Sequence, residues 1–118
     1  MPSNNNTANG GGRRSAASKA PVDSTYGHLQ PQALELERVV LGALMIDKDA
    51  FTVVSEMLRP DTFYEPRNQK VYTAIQTLNM AEKPVDIMTV TEELRHEGEL
   101  QNIGGPGYIV ELSSHVAS

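Results

Sequence analysis

Apolar residues recur at helical spacing through most of residues 31–118, and the pattern predicts a series of amphipathic helices. A first helix is predicted from Ala33 to Ile46, with Glu35 and Glu37 in its first turns, where acidic groups suit the helix dipole. Gly42 in mid-helix indicates that another element approaches closely. The apolar side chains expected to form its wide buried stripe are Leu34, Leu36, Val40, Leu41, Ala43, Leu44 and Met45.

A second helix is predicted to start after Asp49, whose side chain would cap the exposed amides, and to run to about Leu58. Pro60 ends it. A short turn then follows, in which Phe63 and Tyr64 are both expected to pack inward. The side chains of this helix expected to face the core are Phe51, Val54, Met57 and Leu58.

The third helix is predicted to begin at Pro66, a residue suited to the first helical position, and to fade near residues 79–81. The fourth has two alternative starts, because Asp86 is a good cap while Thr89 followed by Glu92 forms a competing capping box. Gly98 ends it. The side chains expected to be buried on these two helices are Val71, Tyr72, Ile75, Leu78, Ile87, Val90 and Leu94.

The remaining chain returns to the core at Leu100 and Ile103 and enters a last helix near Pro106, with Tyr108, Ile109 and Leu112 buried. No segment shows the sustained alternation that is typical of a strand. The sequence therefore predicts an all-α fold, a compact bundle of about five to six helices.

Charge divides the chain at Pro31. Residues 1–30 carry three basic residues against one acidic residue, a net of +2, and the other 7 basic and 14 acidic residues give 31–118 a net of -7. The first region holds few apolar residues and two low-complexity runs, so we expect a disordered basic tail at 1–30. Neither a secretory signal nor a membrane segment is predicted, and a cytoplasmic location is expected.

Residues that could support catalysis are sparse. The chain has 0 cysteines, no Gly-Lys pair for a phosphate-binding loop, and three histidines without metal-ligand spacing. Glu92, Glu93, Glu97 and Glu99 are interpreted as a solvated helix face, with nothing apolar nearby that would raise a carboxyl pKa. We therefore expect no catalytic residues, no cofactor site and no metal site in this chain.

Four ordered blocks resemble the N-terminal domain of the DnaB-type replicative DNA helicases. They follow the order and spacing of that family, and the match extends from about Pro31 to the end of the chain. Together they are specific, although each block alone is short. The blocks are QALELERVVLGALMID at 32–47, DTFY at 61–64, PVDIMTV at 84–90 and IGGPGYIVEL at 103–112.

The resemblance implies a collar domain of a hexameric ring, in which a separate motor domain binds ATP and magnesium, hydrolyses the ATP and acts on DNA. It further implies other helicase subunits and a DnaG-type primase as partners, and it allows a helicase loader. Residues 31–118 would then be a helical domain that stops before the family's linker hairpin and motor. On this interpretation the chain itself is not an enzyme.

The family's primase contacts would place Glu35, near the start of the first helix, and Tyr108, in the last helix, at the partner interface. Each has an alternative interpretation from the residues alone. Tyr108 fits equally well as a core aromatic, and Glu35 as a surface acid that favours the helix dipole.

A second functional hypothesis is a free-standing helical nucleic-acid-binding or adaptor protein, because a helix-turn-helix fits the third and fourth helices. The net of -7 argues against it, since phosphate binding requires clustered lysine and arginine.

Overall fold

Five α-helices and one short 3-10 turn make up the part of the chain that the structure describes. The structure is a computed structural model, and it describes residues 31–116, so the tail predicted at 1–30 lies outside the described residues. The predicted all-α fold is confirmed, with no strand between 31 and 116. The elements are α1 (Pro31–Ile46), α2 (Ala50–Val54), the turn Pro60–Thr62, α3 (Pro66–Met80), α4 (Ile87–His96) and α5 (Pro106–Val116).

The core forms around α3, which packs against the 3-10 turn and α4, while α4 packs against α5. Burial of this apolar surface is the main favourable contribution to folding. The confirmed core positions include Val71, Tyr72, Ile75, Leu78, Val90, Leu94, Leu100, Ile103, Tyr108, Ile109 and Leu112. None of the helices in residues 31–116 is both long enough and apolar enough to cross a membrane.

Tyr72 joins the short elements to this core. Its ring centroid lies 6.0 Å from that of Phe51 in α2 and 5.0 Å from that of Phe63, just after the 3-10 turn. Its hydroxyl donates a hydrogen bond of 2.9 Å to the carbonyl of Leu58, and burial raises the pKa of this hydroxyl. Tyr72 thus helps to hold the segment between α2 and α3 against the core.

Four apolar side chains expected to be buried are exposed, and each has a local cause. Helix α2 ends four residues earlier than predicted, so Met57 leaves the helical register. Phe63 has an extended backbone, and because successive side chains on extended chain point to opposite sides, Tyr64 faces outward. Ile87 is exposed at the first residue of α4, before the buried positions Val90 and Leu94. Leu36 is exposed because it lies before the buried part of α1, which begins at Leu41.

The two aspartates predicted as helix caps behave differently. Asp86 has the extended backbone that a cap requires, accepts a 2.9 Å bond from the Thr89 amide, and its own amide donates to the Thr89 hydroxyl. Of the two predicted starts of α4, Asp86 is therefore correct. Asp49 precedes α2, but its backbone is helical and its side chain makes no capping bond, so that prediction was wrong.

Helices α3 and α4 end in the same way but with different residues. After each helix, one residue has a positive φ, and the backbone amide of the residue that follows it donates a hydrogen bond to the carbonyl of a buried leucine in the helix. After α3 the Lys83 amide donates to Leu78 at 2.9 Å, and after α4 the Glu99 amide donates to Leu94 at 2.9 Å. The positive-φ residue is Gly98 (77°) after α4 but Glu82 (59°) after α3. A side chain at such a position is strained, so the end of α3 is the less favourable of the two.

We predict that Glu82→Gly stabilises the protein by roughly 0.5–1 kcal/mol, while Gly98→Ala destabilises it by a similar amount. No atom lies within 4 Å of a Cβ built at Gly98, so the cost there comes from φ alone. Urea unfolding of each variant measures the change. Glu82→Ala is the control, because it removes the carboxylate but keeps the backbone strain of a non-glycine residue at positive φ. An equal gain in stability from Glu82→Ala and Glu82→Gly would contradict the prediction.

Candidate functional site

Tyr108 lies inside the domain rather than on its surface. It is 3% exposed, and its hydroxyl donates a hydrogen bond to Oδ1 of Asn68 in α3. The guanidinium of Arg67 lies over its ring at 3.8 Å from the centroid, a cation–π contact. Burial raises the pKa of the Tyr108 hydroxyl, which therefore remains a donor at neutral pH. The position of Tyr108 therefore supports its interpretation as a core aromatic residue.

Asn68 is the one fully buried polar side chain among the described residues, and it connects three helical segments. Its Nδ2 donates to Glu37 Oε1 of α1 at 2.8 Å and to Glu65 Oε1 at 3.4 Å, while its Oδ1 accepts from Tyr108. The carboxylate of Glu37 also accepts from the backbone amides of Tyr64 and Glu65. Glu37 thereby fixes the chain entering α3, where no Glu65 side-chain cap forms.

Glu35 lies at the outer edge of the same network. Its carboxylate is about half exposed, and it pairs with Nε2 of His115 at 2.9 Å and with Arg38 at 3.8 Å. Arg38 in turn lies 3.8 Å from Glu65, and its charge partly offsets the rise that burial causes in the pKa of the Tyr108 hydroxyl. The structure therefore joins Glu35 to Tyr108 through Arg38, Glu65 and Asn68, although the two are far apart in sequence.

The position of Glu35 differs from that expected. Helix α1 begins at Pro31 rather than Ala33, so the first turn holds no acidic residue and Glu35 falls in the second. A helix dipole acts mainly within its first turn. The partners of Glu35 in this structure are the His115 and Arg38 side chains.

The network combines hydrogen bonds with ion pairs. Glu65 pairs with both Arg38 and Arg67, and the described residues contain no group of three or more acidic or histidine side chains arranged to hold a metal ion. The residues that build it are Glu35, Glu37, Arg38, Glu65, Arg67, Asn68, Tyr108 and His115.

The acidic end of α4 corrects one expectation from the sequence. The pKa of Glu97 is raised to about 7, first by partial burial and then by a hydrogen bond with Glu93 and the charges of Glu93 and Glu99. Hydrogen bonds from Asn102 and Lys70 instead lower the pKa of Glu99. The surface is solvated, as predicted, but its carboxylates are crowded enough for Glu97 to retain a proton near neutral pH.

The basic residues of α3 and α4 are engaged by neighbouring acids. Arg67 Nε lies 2.6 Å from Glu65, Lys70 lies 3.3 Å from Glu99, and Arg95 pairs with Glu92. A DNA-binding helix would present such cations to phosphates. The arrangement therefore gives no support to the helix-turn-helix interpretation.

Comparison with a solved structure identifies the class of protein. The N-terminal domain of the DnaB helicase from Mycobacterium tuberculosis superposes with a TM-score of 0.68 at 44% identity, covering 74% of this chain and 59% of that one. The fold is thus that of an all-helical N-terminal domain of a replicative helicase. Residues 29–118 match the family model for the DnaB-like helicase N-terminal domain, and the chain belongs to that family.

Curated relatives agree with this assignment. The chain is 44% identical to the replicative DNA helicase DnaB of Rhodothermus marinus over 108 residues, which are 92% of this chain and 12% of that protein. It is 41% identical to the replicative DNA helicase DnaC of Bacillus subtilis, over 80% of this chain and 21% of that protein. The chain thus spans about an eighth of the length of the first of these relatives and about a fifth of the length of the second.

Sequence reasoning missed Asn68 and Glu37, although a signal for Asn68 was present. Asn68 precedes Val71, Tyr72 and Ile75 by three, four and seven positions, the spacing of one helix face. A polar residue on a buried stripe needs hydrogen-bond partners. No local pattern indicates that one of these partners is Glu37, 31 residues earlier.

We predict that Asn68→Ala lowers the free energy of unfolding by about 2–3 kcal/mol, because it leaves the buried Tyr108 hydroxyl and part of the Glu37 carboxylate without their partner. Chemical denaturation measures the loss. Asn79→Ala, at an exposed position of the same helix, is the matched control and should change stability by less than about 0.5 kcal/mol. Equal effects of the two substitutions would show that the network does not stabilise the fold.

A second prediction concerns pH. Because the pKa of Glu97 is raised to about 7 in the folded state, that state retains a proton that the unfolded chain releases above the ordinary value of 4.5. This contribution to stability is fully present below pH 4.5 and is lost as pH rises through about 7. Glu97→Gln should therefore stabilise the protein at pH 8, by about 0.5 kcal/mol given its exposure.

Unfolding measured at pH 4 and pH 8 tests this, since the gain from Glu97→Gln should appear only at the higher pH. Glu93→Gln removes the neighbour that crowds Glu97 and should also flatten the pH dependence. Parallel profiles for the wild-type protein and both variants would contradict the assigned cause.

Proposed function

We propose that this domain is the protein-interaction and ring-assembly part of a replicative helicase, and that the surface carrying Glu35 recruits a DnaG-type primase. The observation that supports the primase proposal is the position of Glu35. Its carboxylate is half exposed, yet it is held between Arg38 of α1 and His115 of α5. A charge fixed in this way is available to a partner at a small entropic cost.

Tyr108 contributes to this proposed interface indirectly. Its ring is buried, so a partner would meet Arg67, which lies over the ring and is also paired with Glu65 at 2.6 Å. Tyr108 therefore acts as a positioning residue for Arg67. Loss of the whole ring would disturb Arg67 together with the core.

We assign unwinding and ATP hydrolysis to the rest of a full-length helicase, not to this domain. The described residues offer a network of hydrogen bonds and ion pairs and an acidic helix end, and we propose no nucleotide site in either. ATP, magnesium and DNA would accordingly be ligands of a separate motor domain. Other helicase subunits, and a helicase loader, are further proposed partners of the full-length protein.

We predict that Glu35→Ala, introduced into the full-length helicase, weakens primase binding about tenfold, which corresponds to about 1.4 kcal/mol. Titration of labelled primase with the assembled helicase, at low and at moderate salt, measures the change. Glu56→Ala is the matched control, because Glu56 is an exposed acid in the turn after α2 and outside the network. Tyr108→Phe, which keeps the ring under Arg67, should have a smaller effect than Glu35→Ala.

Equal primase affinity for the Glu35→Ala, Glu56→Ala and wild-type helicases would refute the primase proposal. Sedimentation of the same samples shows whether ring assembly is intact. A filter-binding titration of the domain against duplex DNA tests the alternative function, nucleic-acid binding. Tight binding with a steep salt dependence would favour that alternative.

A further inference from the structure

Three large apolar side chains are exposed together at one end of the domain. They are Met88 (77% exposed) and Ile87 (37%) at the start of α4, and Ile46 (54%) at the end of α1. All three line one open groove of about 310 Å³, which Ser113 of α5 also borders. An exposed apolar cluster of this kind typically marks an interaction site.

Met88 also lines a second and larger groove. This groove, of about 630 Å³, runs between the end of α3 and the exposed side of α4, with Leu78 from α3 and Lys83 from the connecting loop. Its α4 wall carries Glu92, Glu93 and His96. Met88 thus connects an apolar groove with one that two carboxylates border, and its flexible thioether can adapt to different occupants.

Glu92 and Glu93, which line this second groove, are not both paired with a basic side chain. Arg95 pairs with Glu92, but no lysine or arginine among the described residues lies within 4.0 Å of the Glu93 carboxylate. After partial burial, the charge of Glu93 helps to raise the pKa of Glu97 to about 7, so Glu97 retains a proton near neutral pH. A lysine or arginine from a partner would replace that proton and relieve the repulsion. The charge of the surface therefore favours a basic occupant.

We propose that Ile46, Ile87, Met88, Glu92 and Glu93, together called the α4 surface, bind a basic amphipathic helix of a partner protein. Apolar side chains of that helix would cover Met88 and its two isoleucine neighbours, and its lysines or arginines would face Glu92 and Glu93. This is the usual way in which an amphipathic helix occupies a groove. The α4 surface contains neither Glu35 nor Tyr108, so it is independent of the primase proposal.

The probe for this proposal is a synthetic amphipathic helical peptide with leucines on one face and lysines on the other. It is titrated into the isotope-labelled 118-residue chain and followed by NMR. We expect amide shifts centred on residues 86–93, affinity that falls as salt is added, and a pKa of Glu97 that moves down from about 7 on binding. The same peptide with glutamates in place of the lysines should bind at least tenfold more weakly.

Variants then test the two halves of the surface separately. Met88→Gln and the double variant Glu92→Gln/Glu93→Gln should each weaken the lysine peptide about tenfold. Met57→Gln and Glu56→Gln are matched controls, because they replace an exposed methionine and an exposed acid outside the α4 surface, and should leave affinity unchanged. All of these positions are exposed or only half-buried, so the fold should survive, as the NMR spectra will show.

Three outcomes would overturn the proposal. The first is that the lysine peptide does not bind, or shifts amides elsewhere in the domain. The second is that Met88→Gln lowers the affinity for the lysine peptide no more than Met57→Gln does, or that Glu92→Gln/Glu93→Gln lowers it no more than Glu56→Gln does. The third is self-association that depends on Met88 in the absence of peptide, which would assign the α4 surface to a second copy of this chain.

Discussion

The carboxamide of Asn68 is the interaction on which the rest of the polar structure depends. It is completely buried, and it can be accommodated only because Glu37, Glu65 and Tyr108 each supply a hydrogen-bond partner. A buried polar group left unpaired costs about 1–3 kcal/mol. The need to keep this carboxamide hydrogen-bonded therefore fixes the distances between α1, the start of α3 and α5. Apolar packing alone would fix them less tightly, because it tolerates small displacements.

This constraint also explains which features of the fold the sequence could predict. The buried faces of α3 and α5 follow local periodicity, and Asp86 and Thr89 satisfy a local capping rule, so both were predictable. Glu37 was not, because its partners at Tyr64, Glu65 and Asn68 lie about 30 residues away. Sequence spacing encodes a helix face, but it does not encode which faces meet.

The errors in the predicted core have the same origin. Tyr64 and Met57 lie in segments where the backbone leaves helical geometry, so the periodic argument no longer applied to them. Glu97 differs, because its pKa is raised by partial burial and then by the nearby Glu93 and Glu99 carboxylates, and its burial is visible only in three dimensions. Helical periodicity predicted the all-α fold, and the resemblance to a family supplied the region of the candidate site. The burial of Tyr108 then changed the role that this residue can have.

The two surfaces of the domain have opposite physical designs. Around Glu35, side chains contact one another in the order His115, Glu35, Arg38 and Glu65, so they are ordered without any partner. The α4 surface instead presents an exposed methionine near Glu93, whose charge, after partial burial, helps to raise the pKa of Glu97. An ordered surface favours one partner of matching geometry, because little entropy remains to be lost. A flexible surface with uncompensated charge accommodates varied basic partners, since each can relieve the same repulsion.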